Sequence, residues 1–288
     1  MILSPWLSLT PVVASPSLRP PPYSVFHPLS SIPFPSLRCS CLSSKPTPHG
    51  FSVLASEIPW EDKNVWSTFA LYMFCLHIPL SFGGLSILAR TLHTPLLHPQ
   101  TQVLSLVLLQ LLELSLTLFL LRSTAKPQFK SFNFLKGTNN SVGRNWVVGS
   151  ALGFGTLVAF IFLTSLVAHQ LFPSQDVHNS ELDKIIESGE VSRIGCFVLY
   201  CVVAPILEEI VYRRFLLTSL ASTMELRKAL LISSGVFAAS HFSGEDFVQL
   251  FGIGCLLGGC YSWSGNLASS VVVHSLYNAL TLLLALPS

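Results

Sequence analysis

The chain contains few charged residues. Only 10% of its 288 residues are Asp, Glu, Lys or Arg, while 50% are hydrophobic. Soluble domains carry about 25% charged residues, so the composition excludes an ordinary soluble domain and indicates an integral membrane protein. The net charge is only +2, and the dispersed basic residues do not form the patch that nucleic-acid binding requires. We therefore expect the lipid bilayer, and no nucleic acid, as a partner.

Acidic residues are absent from the first 56 positions, where Arg19, Arg38 and Lys45 are the only charges. Repeated prolines exclude the uninterrupted apolar core of a secretory signal, whereas a serine-rich, acid-free leader is typical of a plastid transit peptide. We predict that residues 1–56 are a transit peptide and disordered leader, cleaved between about 39 and 56. The protein is then expected in a chloroplast membrane, thylakoid or inner envelope. Mitochondrial import and a disordered proline-rich tail are the alternatives.

Local redox and metal motifs are also missing. The seven cysteines form no C-x-x-C pair and are odd in number, which argues against a disulfide framework or a zinc ribbon. No H-E-x-x-H motif occurs, so a local zinc-protease signature is absent as well. We expect most cysteines to be small apolar fillers.

Long apolar runs dominate the remainder of the chain. Segments of this length cross about 30 Å of hydrocarbon, and lipid forces the backbone to satisfy its own hydrogen bonds, which favours helices. The predicted fold is all-α: a polytopic membrane bundle of about seven helices without an internal repeat. The predicted segments are 66–89, 101–121, 146–171, 194–217, 227–242, 247–263 and 267–286.

The two longest polar loops differ in charge. The loop at 122–144 has five basic residues and no acid, whereas the loop at 173–192 is acidic. The positive-inside bias places the basic loop on the synthesis or stromal side of the membrane. Within the acidic loop, "ELDKIIESG" has helical apolar spacing and is expected to lie on the surface. We assign residues 57–146 to N-terminal transmembrane helices and this basic loop.

Four charges interrupt the apolar run "APILEEIVYRRFLLTSL", 204–220. An ionisable side chain within a membrane helix costs about 2.5–3.5 kcal/mol on insertion scales, which makes it a functional candidate. Residues four apart share a helical face, so Glu209 and Arg213 can form an ion pair. That pairing leaves Glu208 on another face, where a free carboxylate can act as a general base. The alternative is a compensated cluster of both acids, Arg213 and Arg214.

Two further polar pairs follow in apolar segments. Phe237 and His241 are four residues apart, as are His274 and Asn278, so each pair lies on one helical face. A lone membrane histidine is more often a hydrogen-bonded packing residue than a catalyst. Three polar constellations on successive helices favour the functional interpretation.

Together these motifs resemble the CPBP family of intramembrane proteases, which includes type II CAAX prenyl endopeptidases of the Ras-converting-enzyme type and bacteriocin-immunity proteins. The resemblance covers about residues 147–283, and we assign 147–286 to a CPBP-type protease domain. The three motifs, in chain order, are E-E-x-x-x-R (Glu208, Glu209, Arg213), F-x-x-x-H (Phe237, His241) and H-x-x-x-N (His274, Asn278).

The resemblance implies four catalytic residues. Glu208 deprotonates a water held with His241, and this water attacks a peptide carbonyl. His274 and Asn278 donate hydrogen bonds to the oxyanion, a role that in other hydrolases contributes about 3–4 kcal/mol per donor.

Three further residues support this site. Glu209 and Arg213 hold the diglutamate helix in place, and Phe237 packs against the His241 ring. Zinc held by Glu208, His241 and His274 is an alternative, because two histidines and a carboxylate leave an open catalytic position. We favour a site without metal or other cofactor.

The predicted function is therefore an intramembrane endopeptidase acting on a membrane-associated protein or peptide. One alternative is a catalytically inactive plastid-membrane scaffold or stabilising factor with the same fold. A second is a transporter that uses the polar centre, for which Glu113 in "LLQLLELSL" is a further membrane acid. Transporters commonly have repeated halves, which this sequence lacks.

Overall fold

The computed structural model describes residues 51–285, apart from 53, 55–57, 94–97, 130–143 and 172–179. Nearly all of the predicted leader, and most of the basic loop, lie outside the described residues. The described part is helical and contains no β-strand. Its helices are α1 (Asp62–Thr91), α2 (Pro99–Ser123), α3 (Trp146–Leu171), α4 (Ser180–Glu187), α5 (Glu190–Thr223), α6 (Leu226–Ala239), α7 (Phe247–Ser264) and α8 (Leu267–Leu284). A single 3₁₀ turn, Pro127–Phe129, follows α2.

Six of these helices, all except α4 and α6, are long and apolar enough to cross a membrane. The predicted class, a helical polytopic membrane bundle, is confirmed. The segment predicted at 227–242 differs, because α6 has only 14 residues. At 1.5 Å per residue it is about 21 Å long, shorter than the hydrocarbon layer of about 30 Å.

Helix α5 is the centre of the bundle. In its most apolar window 72% of the residues are buried, against 22–44% in the other five membrane-length helices. It contacts α2, α6, α7 and α8, while α3 packs against α7 and α8, and α1 against α2. Large side chains such as Phe74, Leu108 and Phe162 are exposed on the outer helices, as expected of surfaces that face lipid.

Two helices contain wider turns in which the backbone hydrogen bonds follow the i→i+5 pattern. These π-helical stretches are Met73–Gly83 in α1, and Val198–Val203 and Glu209–Leu217 in α5. Such turns are rare and are often found at functional sites. Pro79 lies inside the first stretch, and Pro205 lies two residues after the end of the second. A proline removes one intrahelical N–H donor.

Local sequence signals fix the last two helices. Gly265, with φ of 65°, ends α7 in the left-handed conformation, which glycine adopts without a Cβ penalty. Asn266 caps α8 by accepting a hydrogen bond from the N–H of Ala268 at 3.0 Å. Gly254 allows a close approach of α6 and α7, because a Cβ at this position would lie 3.1 Å from the Cα of Ser234.

Candidate active site

Glu208 and Glu209 occupy adjacent positions of α5 but have different surroundings. Glu209 is fully buried, and its Oε1 lies 3.0 Å from Nη1 of Arg213. The i, i+4 ion pair predicted from the sequence is therefore present. Glu208 is 7% exposed, and its Oε2 accepts no hydrogen bond from any residue that the structure describes. A buried carboxylate oxygen without a donor is costly, so it marks the position where a water or substrate group would bind.

The two histidines approach this oxygen from different elements. His241 follows the C-terminus of α6, and its Nε2 lies 3.9 Å from Oε2 of Glu208. His274 lies on α8, and its Nε2 is 3.8 Å from the same atom. Both separations are too long for a direct hydrogen bond. One water bridging the carboxylate to either ring needs two links of about 2.6–3.2 Å, which together are long enough to span these distances.

A small cavity occupies the space beside these groups. Its volume of about 20 Å³ exceeds the roughly 10–15 Å³ that one water requires. The cavity brings together the four residues that the sequence predicted as catalytic: Glu208, His241, His274 and Asn278. Apolar and aromatic side chains complete its wall, namely Tyr200, Ala204, Phe237, Leu250, Ile253 and Tyr277. The site is therefore polar at its centre and enclosed by groups that exclude bulk water.

His241 is oriented by a backbone contact. Its Nδ1 lies 2.7 Å from the carbonyl oxygen of Phe237, so Nδ1–H donates to that carbonyl and Nε2 faces Glu208. The Phe237 ring packs against the imidazole with centroids 4.7 Å apart, as its position one turn before His241 predicted. The guanidinium of Arg213 lies 4.4 Å from the centroid of the same ring. Phe237 is thus in contact with both the ion pair and His241.

His274 has a partner that the sequence did not indicate. Its Nδ1 lies 3.0 Å from Oε1 of Glu209, so this carboxylate contacts both Arg213 and His274. A carboxylate at one ring nitrogen fixes the orientation of an imidazole. Glu209 therefore does more than hold α5 in place. The 65 residues between the two side chains explain why no local spacing pattern revealed this contact.

Asn278 is anchored on the interrupted part of α5. Its Nδ2 donates to the carbonyl oxygen of Tyr200 at 2.8 Å. Tyr200 precedes Pro205 by five residues and lies in a π-helical stretch, so Pro205 offers its carbonyl no N–H. One amide N–H of Asn278 is thus occupied, which leaves the other for a ligand in the cavity.

Arg214, the fourth charge of the motif, belongs to a different contact. It is 3% exposed, and its Nη1 donates to the hydroxyl of Tyr261 on α7 at 3.0 Å. The four charges are therefore divided between separate contacts, in contrast to a single compensated cluster.

Comparisons with known proteins show which proteins this chain resembles. Residues 190–280 match the family described as type II CAAX prenyl endopeptidase, Rce1-like. The chain is also 26% identical, over 141 residues, to the membrane-embedded CAAX protease MroQ of Staphylococcus aureus (strain USA300). This alignment covers 47% of the chain and 56% of MroQ, so the chain spans only about half the length of this relative. No solved structure matches the chain significantly.

The matched region contains all seven residues of the three motifs. The fold is that of a multi-pass membrane protein, and the comparisons show that part of it is similar to an intramembrane protease family. The match of residues 190–280 to the Rce1-like family confirms the resemblance to CPBP intramembrane proteases that the sequence motifs indicated.

Proposed function

We propose that this protein is an intramembrane endopeptidase of the CPBP type, which hydrolyses a peptide bond of a membrane-associated protein or peptide. One observation carries the proposal. The free Oε2 of Glu208 lies within the reach of one water from both His241 and His274, beside a cavity of about one water's size. Neighbouring Glu209 is occupied by Arg213 and His274.

The first step is activation of the water. Glu208 accepts a proton from a water that His241 Nε2 holds in place. The low polarity of the surrounding wall strengthens each electrostatic interaction in the site, and a positioned carboxylate base contributes about 10²–10⁴-fold to such a reaction. The resulting hydroxide attacks the scissile carbonyl, and the carbonyl electron pair moves onto its oxygen.

The second step requires stabilisation of this oxyanion. The free amide N–H of Asn278 is one donor. His274, when protonated on both ring nitrogens, donates Nδ1–H to Glu209 and Nε2–H to the oxyanion. Because Tyr200 and Glu209 hold these two side chains beforehand, little reorganisation is needed as charge develops. Collapse of the intermediate then breaks the C–N bond, and Glu208 returns its proton to the leaving amine.

We propose that this chemistry proceeds without a resident metal. The alternative zinc ligands are Glu208, His241 and His274, and Oε2 of Glu208 lies 3.9 and 3.8 Å from Nε2 of the two histidines. Zinc bond lengths of 2.0–2.2 Å place neighbouring tetrahedral ligands about 3.4 Å apart, so the carboxylate lies farther from both histidines than ideal tetrahedral geometry requires. Within the described part of the chain no group of three His, Cys, Asp or Glu side chains is arranged to hold a metal ion.

A chelator experiment tests the metal-free mechanism. Purified protein in detergent is dialysed against a strong zinc chelator and assayed before and after zinc is restored. Because Glu208 acts directly on water in our account, we expect the same rate in all samples. Loss of activity with the chelator and its return with zinc would replace this mechanism by the zinc alternative.

Comparing the peptides that accumulate with wild-type protein and with Glu208→Gln tests the function itself. The substitution removes the base but nearly preserves the shape, so we expect membrane-derived fragments to disappear and uncleaved precursors to accumulate. Identical profiles would instead favour the inactive scaffold or stabilising factor, since that role needs the fold and not the carboxylate. Precursors that accumulate with Glu208→Gln would also identify the substrate.

The cellular setting is a proposal as well. The acid-free leader supports a chloroplast membrane, thylakoid or inner envelope, as the place of action. The domain assignment follows from the same proposal: residues 1–56 direct import, 57–146 form the N-terminal membrane part, and 147–286 carry the protease site.

A further inference from the structure

A second buried polar cluster lies on α1 and α2, outside residues 190–280. It consists of Tyr72, His77, Ser81 and Glu113, and we refer to it as the Glu113 cluster. Glu113 is 0% exposed. Its Oε1 accepts from the Tyr72 hydroxyl at 3.0 Å and lies 2.9 Å from His77 Nδ1, while Oε2 accepts from Ser81 Oγ at 2.5 Å. The proposed hydrolysis uses none of these four residues.

The backbone of α1 is adapted to this cluster. Tyr72, His77 and Ser81 are five and four residues apart, and the last two lie in the π-helical stretch Met73–Gly83. The wider turns allow all three side chains to reach one carboxylate, which straight α-helical spacing does not. Buried ionisable groups in membrane helices are costly, and they usually mark a function.

A chain of aromatic rings connects the Glu113 cluster to His241. Tyr72 packs against Phe69 with ring centroids 6.2 Å apart, and Phe69 packs against Tyr212 at 6.1 Å. Tyr212 contacts Phe237 at 5.2 Å, and Phe237 contacts His241 at 4.7 Å. This chain starts at a hydrogen-bond donor to Glu113 and ends at the ring that faces Glu208.

Hydrogen bonds reinforce the last part of this chain. The Tyr212 hydroxyl donates to Ser240 Oγ at 2.6 Å, and Ser240 Oγ donates to the Phe237 carbonyl at 2.8 Å. His241 Nδ1 contacts the same carbonyl. Any displacement of Tyr212 therefore moves the acceptor that sets the orientation of the His241 ring.

A second chain reaches the residue that follows His241. The ring of His77 contacts Phe82 with centroids 5.7 Å apart, and Phe82 contacts Phe242 at 5.1 Å. Phe242 has φ of 51°, a conformation that is strained for a bulky residue. Such conformations persist where the surroundings hold them in place. His241 is thus constrained by contacts of residues that precede it and of the residue that follows it in the sequence.

We propose that the Glu113 cluster is a positioning element that fixes the orientation of the His241 ring relative to Glu208. The cluster links α1 to α2 by buried hydrogen bonds. The two chains of packed aromatic rings extend from it to Phe237 and Phe242, and thereby constrain the residues on either side of His241. An effect of the cluster on the rate of turnover rests on the proposed function. An effect of the cluster on the orientation of the His241 ring does not, because it can be measured without any catalytic activity.

The experiment measures the reactivity of His241 directly. Full-length protein in detergent is treated with diethyl pyrocarbonate, and the modification rate of each histidine is read by mass spectrometry. Tyr72→Phe removes one tie to Glu113 and keeps the ring, while Phe69→Leu interrupts the first chain and keeps the polar cluster. We expect both variants to modify His241 several times faster than the wild type. Exposed His98 is the internal reference, and its rate should not change.

Thr117→Val is the matched control. Thr117 lies one turn after Glu113 on α2, is 0% exposed, and its hydroxyl has no hydrogen-bond partner among the described residues. Each protein is assayed at a temperature that lies the same number of degrees below its own unfolding temperature. A general loss of stability then does not change the modification rates that are compared. If Tyr72→Phe does not fold, Phe82→Leu on the second chain replaces it. The proposal would be overturned if His241 were modified at the same rate in Tyr72→Phe, Phe69→Leu and Thr117→Val.

Turnover provides an independent readout. Misorientation of His241 affects the transition state more than substrate binding, so we expect kcat to fall about tenfold with KM nearly constant. An unchanged kcat in Tyr72→Phe and Phe69→Leu would contradict the positioning role. If the wild-type protein cleaves no substrate, the proposed function fails, but the modification rates still decide whether the cluster positions His241.

Discussion

At the scale of single residues, Glu208 and Glu209 show how adjacent carboxylates acquire different tasks. Oε1 of Glu209 contacts Arg213 and His274, both at 3.0 Å, whereas Glu208 lines the cavity and its Oε2 has no donor among the described residues. A carboxylate that is already paired is a poor base, since protonation would break its contacts. The free neighbour is therefore the residue suited to accept a proton from water.

Arg213 is expected to be essential for stability. Arg213→Ala leaves the carboxylate of Glu209 buried without its cationic partner and removes a contact to the Phe237 ring. Breaking a buried pair in this way typically costs about 3–5 kcal/mol. We expect lower accumulation in the membrane and a lower unfolding temperature in detergent, measured by thermal denaturation.

The control for Arg213 is Lys228→Ala. Lys228 lies 3.6 Å from Glu225, with both side chains at least two-thirds exposed. Exposed pairs contribute about 0–1 kcal/mol, so this variant should behave as the wild type. Unchanged abundance and stability of Arg213→Ala would show that Glu209 does not depend on the pair, and the division of tasks between the glutamates would be wrong.

At the scale of elements, the departures of α5 from regular α-helix create the site. Pro205 supplies no N–H to the preceding turn, and the Tyr200 carbonyl is bound by Asn278 instead. The interruption thus connects α5 with α8 and orients Asn278 toward the cavity. A regular helix would satisfy its own carbonyls and leave Asn278 without this anchor.

Pro205→Ala tests the importance of this interruption. Alanine restores the missing N–H and favours a continuous α-helix, which competes with Asn278 for the Tyr200 carbonyl. We expect kcat to fall about tenfold, because Asn278 would be misplaced and not removed, whereas complete loss of one donor costs about 10²–10³-fold. The unfolding temperature should be equal or higher. Wild-type kcat in Pro205→Ala, with folding intact, would mean that the interruption does not position Asn278.

Much of this architecture was predictable, for identifiable reasons. The length of the apolar runs indicated the helices, and i, i+4 spacing indicated the Glu209–Arg213 pair and the packing of Phe237 against His241. The contact of His274 with Glu209 was not predictable, because it joins distant helices and leaves no local pattern. The Glu113 cluster was not predicted for another reason. Its π-helical turns bring Tyr72, His77 and Ser81 to one face, whereas a regular α-helix would place residues at these spacings on different faces.

The short length of α6 was also missed. The apolar run continues to residue 242, but α6 ends at Ala239. The side chains of Ser240 and His241, which follow, hydrogen-bond to the carbonyl oxygen of Phe237 in the last turn. Hydropathy alone does not distinguish a helix that crosses the membrane from a shorter one buried among others, because both are apolar on all sides. The end of α6 is therefore set by side-chain hydrogen bonds, and it brings His241 to the level of Glu208.

At the scale of the whole molecule, the acid-free leader predicts the destination of the protein. Residues 1–56 fused to a fluorescent reporter should direct it into plastids, with removal of the leader between about residues 39 and 56. Microscopy and N-terminal sequencing of the imported product measure both outcomes. A mutant leader with Arg19 and Arg38 changed to Glu is the control, since acidic residues are disfavoured in transit peptides. A mitochondrial, cytosolic or secreted reporter would contradict plastid import.

Hydrolysis in ¹⁸O-labelled water is the measurement that tests the central claim most directly. The purified protein is reconstituted in liposomes with the precursor that accumulates in the Glu208→Gln comparison, and the products are analysed by mass spectrometry. We predict that the wild type cleaves one peptide bond and places a single ¹⁸O in the new carboxylate. Glu208→Gln should cleave about 10²–10⁴-fold more slowly while it unfolds at the wild-type temperature. Cleavage by Glu208→Gln at the wild-type rate, or no cleavage by the wild type, would contradict glutamate-activated hydrolysis.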